Sequence, residues 1–259
     1  GAWNWAKCWP RTCRRVCSRA IPMGWTPPVP ACCAACVKPT DLPMQHPGMN
    51  LVFDLGAVLV EWQPARLLQA HMSQAADTPA GFERLAHDFF HHADWQAFDR
   101  GTVALAEVAR RTAARLALPP AQVLTLIESI GERLTAKADT VAVLDSLHRQ
   151  RAQHPPAKHQ PLRLYYLSNM PAPFARTLEK NHAFLSWFDG GIFSGDVQHI
   201  KPEASIYQLL QSRYQLAPAQ TLFIDDMPVN VQAARAQGWQ AMEFQSGQQL
   251  EAQLRALGL

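Results

Sequence analysis

Apolar and polar positions divide the chain into two kinds of segment. Near residue 50, two short apolar segments that favour β-structure, Asn50–Phe53 and residues 58–60, flank the polar break Asp54-Leu-Gly56. The region that follows shows only helical periodicity, with prolines where a first helical turn tolerates them. We predict helices there at residues 64–75, 79–91, 102–116, 119–134 and 138–151.

From residue 162 onward, predicted strands and helices alternate in short units. The strands are predicted at 162–167, 191–193, 221–224 and 239–243, and the helices at 173–181, 203–214, 229–237 and 247–257. This alternation predicts an α/β fold with a doubly wound parallel, Rossmann-like sheet. The strand at 221–224 agrees, because a parallel sheet is covered on both faces and its strands are apolar throughout.

The helical region interrupts the sheet between its first and second strands. We therefore predict an α/β core from residues 49–62 and 153–259, with residues 63–152 forming an inserted all-helical cap. A proline-rich segment at 154–161 marks the boundary on the second side.

Composition changes abruptly near residue 49. Residues 1–49 contain all six cysteines and carry six basic and one acidic residue, whereas the other 210 carry 18 basic and 20 acidic residues. The first segment could be a zinc module, but only Cys33 and Cys36 have good ligand spacing. It could be a targeting peptide, but it lacks an apolar central region. We favour a disordered extension over residues 1–48.

The remaining chain excludes several functional classes. Its charge is close to balanced, so nothing indicates a nucleic-acid partner. It has no apolar run of membrane-spanning length, so we expect no membrane partner. The absence of cysteine fits a reducing compartment, and we expect a cytoplasmic protein whose oligomeric state is open.

Four polar clusters stand at or just after the predicted strands. Their members are Asp54, the pair Ser168 and Asn169, Lys201, and the pair Asp225 and Asp226. Ligands of open α/β sheets bind beyond the carboxyl ends of the strands, so these side chains are expected to converge there. Carboxylates for a hard cation, one ammonium group and neutral donors together predict a site for a metal-bound phosphate.

The segments around these clusters resemble a known superfamily. In order they are Phe53-Asp-Leu-Gly-Ala-Val58, Leu167-Ser-Asn169, Lys201-Pro-Glu-Ala-Ser-Ile-Tyr207 and Phe223-Ile-Asp-Asp-Met-Pro-Val-Asn230. They resemble the four motifs of the haloacid dehalogenase-like (HAD) hydrolases, over about residues 49–259. The branch that looks most similar includes bacterial α-D-glucose-1-phosphate phosphatase.

The resemblance implies a Mg²⁺-dependent phosphatase acting on a small phosphorylated metabolite, with a sugar phosphate expected. Asp54 would attack phosphorus and form an aspartyl-phosphate. Mg²⁺ would be held by Asp54, the carbonyl of Gly56, and Asp225 or Asp226. Lys201 would neutralise the phosphate, and Ser168 and Asn169 would hold its oxygens.

The sequence departs from the usual motifs at two positions. Many phosphatases of the superfamily carry a proton-donating Asp where this chain has Gly56, although the resembling branch also has Gly there. Glu61 or a cap residue could substitute, the substrate could have a good leaving group, or turnover could be slow. Asn230 replaces a third acid, and we expect it to position a water or Lys201.

Two further groups of residues in the helical region are candidates for a functional role. The first, His87, Asp88, His91, His92 and Asp94, could bind a metal, but a solvated helix face is the favoured interpretation. The second precedes Gly101 and is expected to reach over the site and contact substrate; it comprises Trp95, Phe98, Asp99 and Arg100. Trp62, Leu67 and Leu68 are expected in the core of the insert.

Two alternative functions remain open. A metal-free haloacid dehalogenase would use Asp54 to attack carbon, but it would have no use for Asp225 and Asp226. A weakly active or non-catalytic HAD-fold binding protein is suggested by Gly56, which cannot transfer a proton.

Overall fold

The computed structural model describes residues 48–153 and 162–259. The predicted extension and the proline-rich segment lie outside these residues. The described residues all fall within one compact unit.

A five-stranded parallel sheet forms the centre of the molecule. Its strands are β1 (Asn50–Phe53), β2 (Arg163–Ser168), β3 (Gly190–Phe193), β4 (Thr221–Asp225) and β5 (Gln240–Glu243). Their spatial order is β3-β2-β1-β4-β5, and every adjacent pair is parallel. The chain builds β2 and β3 on one side of β1 and then crosses to β4 on the other. The predicted Rossmann-like core is confirmed, with its topological switch point beside β1.

Six helices lie between β1 and β2 and are called the helical insert. They are α1 (Pro64–His71), α2 (Pro79–Phe90), α3 (Ala93–Asp99), α4 (Leu105–Leu116), α5 (Pro120–Arg133) and α6 (Ala138–Gln153). Five correspond to predicted helices. The sequence pattern did not predict α3, a seven-residue helix capped by His92, whose ring accepts a hydrogen bond from the Asp94 amide at 3.1 Å.

The helices after β2 cover the sheet. They are α7 (Ala172–Asn181), α8 (Ser194–Val197), α9 (Ala204–Tyr214), α10 (Pro228–Ala236) and α11 (Gly247–Ala256). Short 3₁₀ helices occupy Ala183–Trp187 and Pro218–Gln220. No helix in the described ranges is long and apolar enough to cross a membrane.

Two apolar clusters cover the two faces of the sheet. Leu51 and Phe53 belong to a cluster that continues into the helical insert. Val52, between them, points to the other face and packs in a cluster with Tyr207 and Trp239. Successive residues of a strand face opposite sides, so a continuously apolar β1 is what a sheet covered on both faces requires.

Three predicted elements differ from the structure. Residues 58–60 form no strand; Val60 makes only single bridges, to Gly56 and Ala136. The helix predicted at 64–75 ends at His71. The helix predicted from residue 102 begins at Leu105, because Gly101 has a φ of +78° and ends the preceding segment in a turn. Local apolar content alone did not distinguish the buried loop residues 58–60 from a strand.

Candidate active site

The register of the sheet places two acidic residues side by side. Phe53 of β1 pairs with Ile224 of β4, and Asp54 and Asp225 each follow immediately. The amide of Asp54 donates to the carbonyl of Ile224 at 2.8 Å, which fixes the backbone at this edge. The two carboxylates therefore meet at the carboxyl ends of β1 and β4, beside the switch point.

Lys201 joins these two carboxylates. Its ammonium Nζ lies 2.9 Å from Oδ1 of Asp54 and 2.7 Å from Oδ2 of Asp225. All three side chains are buried, so these ion pairs are screened little by water. Burial opposes the charged amine, but the neighbouring carboxylates hold the pKa of Lys201 above its usual range. The amine is therefore a fixed positive charge.

Both carboxylate oxygens of Asp225 accept hydrogen bonds from other groups of the protein. Besides Lys201, it accepts hydrogen bonds from the Met227 amide at 2.8 Å and from the Asn230 side chain at 3.0 and 3.2 Å. Asn230, predicted to position a water or Lys201, instead binds Asp225 in this structure. The neighbouring Asp226 is only partly buried and faces the cavity at this edge.

Three carboxylates form a candidate cation site. One oxygen from each of Asp54, Asp225 and Asp226 lies within 4.8 Å of the others, and no other group of three or more His, Cys, Asp or Glu in the described ranges is so placed. Burial raises the pKa of Asp54 to about 7; the positive charge of Lys201 opposes the rise, and repulsion from Asp225 and Asp226 adds to it. Burial and Asp225 also raise the pKa of Asp226. Oxygen donors carrying excess negative charge are what a hard divalent cation prefers.

Asn169 ties the ends of two segments together. Its side-chain oxygen accepts from the Lys201 amide at 2.8 Å, and its side-chain nitrogen donates to the Lys201 carbonyl at 3.0 Å. The Asn169 side chain thus holds the Lys201 loop, and the predicted contact of Asn169 with phosphate stays a prediction. Ser168, at the end of β2, is buried and lines the cavity.

A cavity of about 580 Å³ lies over this edge, between the sheet and the helical insert. Six of the seven predicted site residues line it: Asp54, Gly56, Ser168, Asn169, Lys201 and Asp226. The seventh, Asp225, lies behind them. The outer walls come mainly from apolar side chains that the motifs do not contain, including Trp62, Phe90, Trp95, Ile130, Leu134 and Phe174.

The four insert residues expected to contact substrate do not all lie at the cavity. Trp95 and Asp99 line the cavity, but Phe98 is buried against Trp95 and Phe174, and Arg100 pairs with Glu203. Helical periodicity alone did not show which turn of α3 faces the cavity.

Three other expectations can be compared with the structure. Leu68 is buried as expected, Leu67 and Trp62 pack partly buried against the same apolar cluster, and Trp62 also lines the cavity. His87 and His91 stack with ring centres 5.0 Å apart and belong to no cluster capable of holding a metal within the described residues.

Comparison with known proteins agrees with this architecture. The model of the haloacid dehalogenase-like hydrolase family matches residues 52–238. The chain is 26% identical to sesquiterpene phosphatase astK of Aspergillus oryzae over 188 residues, which cover 72% of this chain and 85% of that protein. It is 37% identical to phosphoglycolate phosphatase of Escherichia coli over 82 residues, about a third of each chain.

A solved HAD structure has the same fold. It is the HAD family enzyme bt-2542 of Bacteroides thetaiotaomicron, in complex with magnesium and inorganic phosphate. The TM-score is 0.57 at 20% identity, over 77% of this chain and 96% of that one. The family match covers most of the chain, which therefore belongs to the haloacid dehalogenase-like hydrolases.

Proposed function

We propose that this protein is a Mg²⁺-dependent phosphatase that hydrolyses a small phosphate monoester through an aspartyl-phosphate on Asp54. The observation that carries the proposal is the buried group of Asp54, Lys201 and Asp225 at the floor of a cavity that Asp226 also faces. It combines a nucleophile, a fixed positive charge and an oxygen-rich cation site.

Asp54 is the proposed nucleophile. Its Oδ1 accepts from the Leu55 amide at 2.7 Å and pairs with Lys201, so this oxygen is anchored. We assign the attack on phosphorus to the other oxygen, Oδ2. Lys201 then lowers the repulsion between the attacking carboxylate and the anionic phosphate, which would otherwise oppose their approach. The hydroxyl of Ser168 and the backbone amide of Asn169 are proposed donors to the phosphoryl oxygens.

Asp54, Asp226 and the carbonyl of Gly56 are the proposed direct ligands of Mg²⁺. Asp225 is an indirect participant, because the protein already occupies both of its oxygens and only Asp226 of the pair faces the cavity. When bound, Mg²⁺ supplies charge stabilisation to the phosphoryl group. A site with three carboxylates and one ammonium retains excess negative charge, which suits a divalent cation.

The helical insert is proposed to act as a cap that encloses a small substrate. Its helices α2, α3 and α5 contribute side chains to the cavity opposite the carboxylates. Enclosure would exclude water and macromolecular substrates from the reacting phosphate. Under this proposal residues 63–152 form the cap, and the rest of the described chain forms the α/β core.

The side chains of the cavity walls offer contacts to two candidate classes of substrate. A sugar phosphate is the class expected from the sequence, and Gln96, His91 and Glu203 offer polar contacts for it. A monoester with an apolar organic group is the second candidate. It is favoured by the aromatic wall of Trp62, Phe90, Trp95 and Phe174 and by the similarity to a sesquiterpene phosphatase.

The test is a panel of phosphate monoesters, assayed with excess Mg²⁺ or with a chelator. The panel contains 4-nitrophenyl phosphate, glucose 1-phosphate and farnesyl monophosphate. We expect Mg²⁺-dependent phosphate release, and a loss on the order of a thousandfold or more in Asp54→Asn. Higher kcat/KM with the farnesyl ester than with the sugar ester would select the apolar class.

Two results would contradict the proposal. Release of chloride from 2-chloropropionate without metal would favour the dehalogenase alternative. Substrate binding without turnover, equal in wild type and Asp54→Asn, would favour a non-catalytic binding protein.

A further inference from the structure

The proposed reaction leaves the departing oxygen without an evident proton donor. Gly56 lies at the cavity, where a side chain could reach it, but glycine has no ionisable group. Glu61, considered from the sequence as a substitute, is not among the residues that line the cavity and instead accepts a hydrogen bond from Gln63 at 3.0 Å. A proton donor must therefore be sought among the other cavity residues.

Three further ionisable side chains line the cavity: His91, Asp99 and Glu203. Glu203 is bound in a two-point ion pair with Arg100, at 2.8 and 2.5 Å, which lowers its pKa and keeps it ionised. Burial and the neighbouring His87 lower the pKa of His91, which disfavours its acid form. The carboxyl group of Asp99 makes no hydrogen bond or ion pair with other residues in the described ranges.

The end of α3, which carries Asp99, is fixed to the core at three points. The Asp99 carbonyl accepts a hydrogen bond at 2.5 Å from Ser194, the residue after β3. Arg100 forms an ion pair with Glu203, two residues after Lys201 in the sequence. Gly101 packs so closely on the backbone of Gly195 that a Cβ would overlap its carbonyl oxygen. These contacts hold Asp99 over the loop that presents Lys201.

We propose that Asp99 is the acid and base of this reaction and supplies from the insert the proton that position 56 cannot. This role rests on the proposed phosphatase function. As Asp54 bonds to phosphorus and the bond from phosphorus to the leaving oxygen breaks, the Asp99 carboxyl gives its proton to that oxygen. Water then attacks the aspartyl-phosphate, Asp99 takes a proton from it, and phosphate, free Asp54 and protonated Asp99 result.

The direction of the pKa shift of Asp99 agrees with this role. Burial raises the pKa of Asp99 well above its usual value, and the positive charge of Lys201 opposes the rise without cancelling it. A carboxyl group whose pKa is raised holds its proton to higher pH and can donate it to an oxygen that would otherwise leave as an alkoxide.

The experiment compares two probes that differ in their need for a proton. Benzyl phosphate releases a poor leaving group, whereas 4-nitrophenyl phosphate releases one that departs readily without protonation. We expect Asp99→Asn to lower kcat/KM for benzyl phosphate about a hundredfold or more and for 4-nitrophenyl phosphate by less than about fivefold. A merely structural role would lower both rates by a similar factor and would overturn the proposal.

Position 56 provides a second test. A Cβ there would meet no heavy atom within 4 Å, and Gly56 is not among the residues with positive φ, so aspartate fits. Gly56→Asp should restore most of the benzyl phosphate rate to Asp99→Asn. In the wild-type background, a hundredfold increase of that rate on Gly56→Asp would show that the wild type has no working acid and would overturn the proposal.

Asp88→Asn is the matched control, because Asp88 is an exposed carboxylate of the same insert and lies outside the cavity. It should leave both rates unchanged. If the wild type hydrolyses neither probe in Mg²⁺, the phosphatase function fails and the role of Asp99 fails with it. Hydrolysis by wild type with equal losses in Asp99→Asn overturns the role of Asp99 alone.

Discussion

The floor and the outer walls of the cavity are built in different ways. The floor comes from the ends of β1, β2 and β4 and the Lys201 loop, and its charged groups are buried and bonded to one another. The walls come mainly from the helical insert and present aromatic side chains from several helices. The floor is suited to a phosphate and its cation, whatever the organic group attached to them. The walls are suited to select that organic group.

This division predicts that changes in the floor act on turnover, whereas changes in the walls act on substrate binding. Three substitutions or titrations test it, beginning with the largest expected effect.

Of these three changes, removal of the Lys201 amine should have the largest effect. Lys201→Ala leaves Asp54 and Asp225 facing each other without their shared positive charge. We expect kcat/KM with 4-nitrophenyl phosphate to fall on the order of 10²–10³-fold. The metal-free protein should lose about 3–5 kcal/mol of unfolding free energy, measured by urea titration. The exposed Lys180→Ala is the control and should change neither quantity; equal behaviour of the two variants would contradict the assignment.

Mg²⁺ binding should depend on pH through Asp54. Burial and nearby carboxylates raise the pKa of Asp54 to about 7 in the metal-free protein, so below this pH a proton competes with the cation. The affinity should therefore increase with pH up to about 7 and then level, with up to about a tenfold loss per pH unit on the acid side. Calorimetric titration at several pH values measures it. An affinity independent of pH would contradict direct ligation by Asp54.

A wall substitution should leave turnover nearly intact. Trp62→Ala removes one aromatic surface of the cavity and its edge contact with Phe90, whose ring centre is 5.1 Å away. We expect KM for an apolar ester to rise about tenfold, with kcat changed less than about threefold. The control is Trp187→Ala, another half-buried tryptophan but outside the cavity, which should alter stability and leave KM unchanged. A fall in kcat with constant KM would place Trp62 in the reaction itself.

The sequence predicted the floor well because its geometry follows from local pattern. Asp54 directly follows β1 and Asp225 ends β4, and parallel register alone brings such positions together. Ser168 and Lys201, which were expected at or after the other predicted strands, also line the cavity. The sequence pattern did not show which groups the amide side chains of Asn169 and Asn230 bind by hydrogen bonds. Asn169 holds Lys201 and Asn230 holds Asp225, and both choices depend on loop conformation.

The walls could not be predicted in the same way. Trp95 and Phe98 lie on one short helix, three residues apart, and are both buried, yet only Trp95 borders the cavity. An amphipathic pattern shows that a helix has an apolar face, but not whether that face meets another helix or an open space. For Trp62 the local sequence suggested core packing, and only the arrangement of α2 beside it leaves its ring at the cavity.

The unbalanced charge at the floor also affects the stability of the enzyme in the cell. Three acidic groups share one amine there, so the folded chain retains repulsion that the unfolded chain, with these groups far apart, does not have. A divalent ion that binds only the folded form adds stability in proportion to the logarithm of its concentration over its dissociation constant. The free magnesium level would then set both how fast the enzyme works and how long it resists unfolding and proteolysis.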